Sequence, residues 1–175
     1  MKQAIGYTLL IVGTFAAADA LGTTKPEMPR MATGRDYLDN PASLDGLNKL
    51  YKAAGPSLFM VPQGAQQQPE KLVPIAQDGS FGQTSTGGGR DGKGAMHATA
   101  TIPSDSQAII HTHPFGQDPM PSDDDYATAT KTGKPNFVMS GSAIYVAMPG
   151  GSRNNPVKVA DISHGKGGKL NIKWN

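Results

Sequence analysis

Cysteine is absent from the 175 residues, and its absence removes disulfide frameworks, thiolate zinc sites, iron–sulfur clusters and cysteine nucleophiles together. Any metal must be held by histidine or a carboxylate. Charge is also scarce: Asp, Glu, Lys and Arg make up 17% of the chain and leave a formal net charge of +2. Nothing in that balance provides the basic stripe that grips a phosphate backbone, so nucleic acid is not an expected partner. Glutamate is rarer still, confined to Glu27 and Glu70. With 22 glycines and 14 prolines the chain stays short of low-complexity composition. One domain with many loops around a real core is the expectation for this length.

The organisation reads in three parts. Lys2 precedes an apolar run through Ile5, Leu9, Leu10, Ile11, Val12 and Phe15, and Ala18-Asp19-Ala20 follows. That order is the order of a secretory signal peptide, too short for a comfortable membrane span, with cleavage expected after Ala20. The mature protein is then expected in the periplasm or outside the cell, with no stable membrane span. Residues 21–40 have no periodicity and read as a flexible tether. A single domain is expected over 41–175.

Within that domain Leu44, Leu47, Leu50, Tyr51 and Ala54 recur at helical spacing behind Pro41, and Gly55-Pro56 is a stop. Short β-type runs are expected at 57–61, at 72–77 and 80–86 as a hairpin about Asp78-Gly79, and at 95–102 and 107–113. A second helix is expected over Ser122–Thr132, with strands at 137–140, 143–148, 157–162 and 170–174. Helix, strands, helix, strands is an α+β layout with a mixed sheet.

Residues 111–125 read His-Thr-His-Pro-Phe-Gly-Gln-Asp-Pro-Met-Pro-Ser-Asp-Asp-Asp. Residues two apart on a strand face one side, so His111 and His113 present both imidazoles to one point. The Pro- and Gly-rich turn then leads to a helix whose first turn can swing an aspartate back toward them. Two histidines and one carboxylate leave a tetrahedral Zn2+ one open position, the arrangement of a catalytic site. A base is needed to complete proton transfer from water, and Glu70, at the head of a β-run, is the glutamate placed to reach the site.

Taken together, a distant Glu, then His-x-His-Pro, then Ser-x-x-Asp resembles the signature of the JAMM/MPN metallopeptidases. The wording HTHPFGQDPMPSDDD looks closest to the bacterial RadC-like and RHS-toxin-associated branches, and the resemblance extends over about residues 57–150. It implies a JAMM/MPN-like architecture, related to the cytidine-deaminase fold, in which helices sandwich the mixed sheet. It implies Zn2+ held by His111, His113 and Asp125, with Asp124 as the alternative ligand, Glu70 as base, and Ser122 stabilising the oxyanion. The activity implied is hydrolysis of a peptide or isopeptide bond, in a peptidoglycan cross-link or in an extracellular or foreign protein. The alternative is a non-catalytic exported metal-binding or protein-binding module of the same fold. Two departures stand out: Pro114–Pro121 is one residue longer than the family's usual spacer, and Pro74 interrupts the strand after Glu70.

Plainer roles compete for some of these residues. Ser122 and Asp125 also spell a helix capping box. GGGRDGKG at 87–94 contains the glycines and lysine of a phosphate loop, but Gly94 stands where Ser or Thr is needed and a strand pattern follows where a helix is needed. It reads as a hairpin loop. His97 and His164 are expected to be structural or exposed, and Tyr126 and Trp174 to be packing residues.

Overall fold

The computed structural model describes residues 33–59, 69–87, 89–90, 96–97 and 101–175. The expected signal at 1–20, the tether up to 32 and residues 91–94 of the Gly-rich loop lie outside the described residues. The folded part begins earlier than the expected tether allows. Gly34–Leu38 forms a short helix, α1, with Leu38 fully buried. Five residues are too few to display a period; the readable signal is Thr33, whose N–H donates to the Asp36 carboxylate at 2.7 Å.

Helix α2 spans Pro41–Ala54. Asn40 caps it, accepting from the Ser43 N–H at 2.9 Å, and Pro41 occupies the first turn, where a missing donor costs nothing. Leu47, Leu50, Tyr51 and Ala54 face the core, each large apolar side chain contributing about 1.5–3 kcal/mol by burial. Gly46 is a point of close approach: a Cβ there would stand 2.3 Å from the Phe81 ring. The run expected as a strand from residue 57 instead opens as a 3-10 turn, Gly55–Leu58. The end of α2 tightens and inserts Leu58 into the core, an outcome that an apolar run too short to show a period does not distinguish from a strand.

The strands are β1 Lys71–Ala76, β2 Ser85–Thr86, β3 Gly89–Arg90, β4 Met96–His97, β5 Ser106–Thr112, β6 Asn136–Met139, β7 Ala143–Ala147, β8 Val157–His164 and β9 Leu170–Trp174. Seven of them form one sheet in the order β2-β1-β5-β6-β7-β8-β9, and β3 pairs with β4 separately. The pair β5 and β6 is parallel, whereas the other neighbours in the sheet are antiparallel. The fold is therefore α+β with a mixed sheet. No described helix is long and apolar enough to cross a membrane.

Parallel neighbours need a crossover, and here the crossover carries helix α3, Asp123–Thr132, ended by Gly133 in the left-handed conformation at φ 67°. Strand alternation divides the sheet. Val73, Ile75, Ile110, Phe137, Met139, Ile144 and Val146 belong to the core shared with α2. The opposite face lies under α3, where Tyr126 and Ala129 pack with Ala147. His111 falls on that second face.

Pro74 is accommodated without breaking β1. Its carbonyl accepts from the Gly82 N–H at 2.9 Å, so its donor-less nitrogen also faces the hairpin arm leading to β2, where pairing is sparse. The ladder to β5 runs through Pro74↔Ile109, and the bulge falls one step later, between Ile75 and Ala76. The proline thus sits where a missing N–H is tolerated.

Candidate metal centre

His111 lies near the end of β5 and His113 just beyond it, where its N–H still donates to the Met139 carbonyl at 2.9 Å. Alternation sends both rings to the α3 face and Thr112 to the other. After Pro114 the chain turns through a bond from Gln117 N–H to the Pro114 carbonyl and Gly116 at φ 90°. The eight-residue spacer is absorbed in this loop, and Ser122 arrives as the N-cap of α3. Asp125, at the third helical position, turns back to the histidines. Asp124, one position earlier on the helix, is exposed, so the choice between the two aspartates falls to Asp125.

The donor atoms converge closely. His111 Nε2 and His113 Nε2 are 3.1 Å apart. Asp125 Oδ1 is 3.3 Å from His111 Nε2, and Asp125 Oδ2 is 3.9 Å from His113 Nε2. Both rings are buried, at 4% and 8% exposure. Among the described residues these three form a group able to hold a metal ion, with the ligand atoms within 4.8 Å of one another.

The outer partners decide which ring nitrogens carry protons. His113 Nδ1 stands 2.6 Å from the Asp118 carbonyl, which only accepts, so Nδ1–H donates there. His111 Nδ1 stands 3.1 Å from Asn136 Oδ1, and the Asn136 amide is oriented by its own donation from Nδ2 to Asp125 Oδ1 at 3.1 Å. In its neutral form each imidazole therefore carries its proton on Nδ1 and turns a bare Nε2 lone pair to the same point as a carboxylate. Three lone-pair donors in so small a buried space repel one another unless a proton or a cation lies between them, and the group could hold a metal ion.

Charge states agree with this. Burial pushes the His113 pKa down from 6.5 to about 4, helped by the charge of His111 and opposed by the Asp118 carbonyl and by Asp125 and Asp118. Burial opposes ionisation of Asp125, but the His111 charge and the Ser122 hydroxyl and N–H outweigh it and hold its pKa below the usual value. An ionised Asp125 carboxylate beside a neutral His113 imidazole is the ligand form of each.

A pH dependence follows for the metal-free protein. Between pH 6.5 and about 4 the unfolded chain takes up a proton at His113 that the folded protein refuses. The contribution is complete above about pH 6.5 and is lost as the pH falls toward 4, by on the order of 3 kcal/mol. Melting temperatures recorded from pH 7 to pH 4 should fall more steeply in wild type than in His113→Gln. Parallel curves would show that His113 is not held neutral.

Ser122 is fully engaged. Its Oγ donates to Asp125 Oδ2 at 2.7 Å, its N–H donates to the same oxygen at 2.7 Å, and its Oγ accepts from the Asp125 N–H. The capping box orients the ligand Asp125, so the structural and chemical roles of the pair coincide.

Glu70 precedes β1 and is buried at 8% exposure, and its carbonyl accepts from the Gly87 N–H at 2.8 Å. Leu72 stands opposite His111 in the antiparallel register. Continuing that register by one alternation sets Glu70 opposite His113 on the same sheet face, and the Lys71 N–H, which donates to Thr112 Oγ1 at 3.0 Å, keeps the two chains together there. His164 lies away from this group: its Nδ1 is 3.2 Å from the Tyr51 hydroxyl on the α2 side.

Asn136 and the Asp118 carbonyl have no counterpart among the residues expected from the sequence. Asn136 follows Pro135 at the head of an apolar strand, and a buried amide in that position is the signal that could have marked it. The Asp118 carbonyl carries no side-chain signature. No family model matches the chain, and no similar protein emerged among curated proteins or solved structures.

Proposed function

We propose that the chain is an exported, zinc-dependent hydrolase of the JAMM/MPN type that cleaves a peptide or isopeptide bond. The observation that carries this reading is the convergence of two buried, tautomerically locked imidazoles and an ionised carboxylate on one point. The separations of 3.1 Å between the two Nε2 atoms and 3.3 Å from His111 Nε2 to Asp125 Oδ1 match the roughly 3.3 Å expected between ligands about 2.0–2.1 Å from a tetrahedral zinc, and with one oxygen from Asp125 the three donor atoms lie within 4.8 Å of one another. His111, His113 and Asp125 would hold the ion and leave one position for water or substrate. Zinc bound there supplies Lewis acidity, acidifying water and polarising the scissile carbonyl. Glu70 accepts the proton of the attacking water and passes it to the leaving amine. Ser122 keeps Asp125 in place and, when its hydroxyl rotates, donates to the oxyanion.

An exported enzyme meets peptidoglycan cross-links and extracellular or foreign proteins, and these are the proposed substrates. One observation favours the second reading, a metal-binding module without turnover: the Ser122 proton is aimed at Asp125 Oδ2, away from any substrate. The test is recovery of the protein from an exporting host. The proposal expects Leu21 as first residue, one zinc per chain, and cleavage within a panel of peptidoglycan fragments and isopeptide-linked proteins that stops on chelation. Zinc without cleavage across the panel selects the binding module, no zinc at all removes both readings, and an intact Met1 overturns the export.

A further inference from the structure

His111 and Asp125 arrive at the metal point from different elements, a strand and a helix joined by a loop with three prolines and one glycine. A ring and a carboxylate held only by their own backbones would have freedom at both χ angles. In this protein a single buried side chain spans the two. Asn136, 3% exposed, sits at the head of β6, two positions before Val138, which pairs with His111 in the parallel register. It therefore lies on the His111 face. Its Oδ1 accepts from His111 Nδ1 at 3.1 Å, and its Nδ2 donates to Asp125 Oδ1 at 3.1 Å.

A primary amide is the side chain whose planar end offers one acceptor and one donor together. A carboxylate in its place would repel Asp125, and a hydroxyl is too short to span both groups. Reversing the amide would turn its oxygen on the Asp125 carboxylate, a repulsive contact, so the amide has one orientation. That orientation in turn selects the Nδ1–H form of His111 and frees Nε2 for the ion.

We propose that Asn136 is a positioning residue of the metal centre: it locks the His111 tautomer and clamps Asp125 to it before any ion arrives. Outer partners of this kind typically contribute ten- to hundredfold in metal affinity. The proposal rests on the reading of this cluster as a metal site, but its signature exists in the metal-free protein as well.

Nitrogen-edited NMR of the full chain, without metal and with one equivalent of zinc, reads that signature directly. Wild type should show a solvent-protected Nδ1–H on both His111 and His113. In Asn136→Leu, near in volume but unable to hydrogen-bond, the His111 Nδ1–H should lose its protection while that of His113, held by the Asp118 carbonyl, stays. Zinc affinity measured against a competing chelator should fall ten- to hundredfold. A folded Asn136→Leu with unchanged His111 protection, or with zinc affinity within twofold of wild type, overturns the proposal. Should the variant not fold, wild type alone still decides: a bare His111 Nδ1 overturns it. If wild type binds no zinc yet the His111 Nδ1–H is protected, the metal reading fails and the Asn136 lock stands.

Discussion

Replacing His111 by alanine is expected to abolish stoichiometric zinc. His111 is the ligand nearest to both others, 3.1 Å from His113 and 3.3 Å from Asp125, and two remaining donors cannot hold a site that needs three. The loss should also be visible in stability, because an ion that binds only the folded chain adds its binding free energy to folding. At a free zinc concentration a hundred times the dissociation constant the addition is about 2.7 kcal/mol. For a domain of this size that corresponds to a rise of roughly 5–10 °C in melting temperature. Wild type should show the zinc-dependent rise and His111→Ala should not. Asp125→Ala should behave like His111→Ala, while Asp124→Ala, changing an exposed carboxylate, should keep both zinc and the rise. Zinc retained at one per chain in His111→Ala would place the ion elsewhere.

Glu70→Gln is expected to lower hydrolysis by at least about a hundredfold while leaving zinc content and melting temperature near wild type. Glutamine keeps the shape and polarity of the buried side chain and removes its basicity, and acid–base catalysis is typically worth 10²- to 10⁴-fold. The separation of the two readouts is the point of the variant. Loss of activity with loss of zinc would indicate disruption of the neighbouring His113, and equal cleavage by the variant and wild type would show that Glu70 is not the base. A drop in kcat and kcat/KM together identifies an interaction made in the transition state.

Much of the fold was legible because its signals are local. The helix at Pro41–Ala54 announces itself through apolar spacing, a proline at its first turn and a glycine stop, and α3 through its acidic first turn and Gly133. Strands β1 and β5 to β9 alternate or run apolar between turn residues. The failures lie where local pattern is too short to speak. Gly34–Leu38 is five residues and reads as tether, and Gly55–Leu58 is an apolar tail whose 3-10 form is set by what Leu58 packs against. Pro74 reads as an interruption in the sequence, and the sheet order decides that its nitrogen faces the sparsely paired side of β1.

The candidate centre divides in the same way. By itself the sequence determined that His111 and His113 point together, because the period of a strand is two, and that an aspartate near the start of the next helix stands close by. It also determined that any metal here is held without thiolates. Only the tertiary structure decided that Asp125 and not Asp124 turns inward, since that depends on how α3 is phased against the sheet after an eight-residue loop. Only it fixed the antiparallel register of β1 on β5, which carried on past Leu72 runs Glu70 toward His113, and brought Asn136 and the Asp118 carbonyl to the two Nδ1 atoms. Those contacts join residues 25 and 5 positions apart through strand pairing and a loop, and hydrogen bonds across such distances in the chain leave no period in the sequence to read.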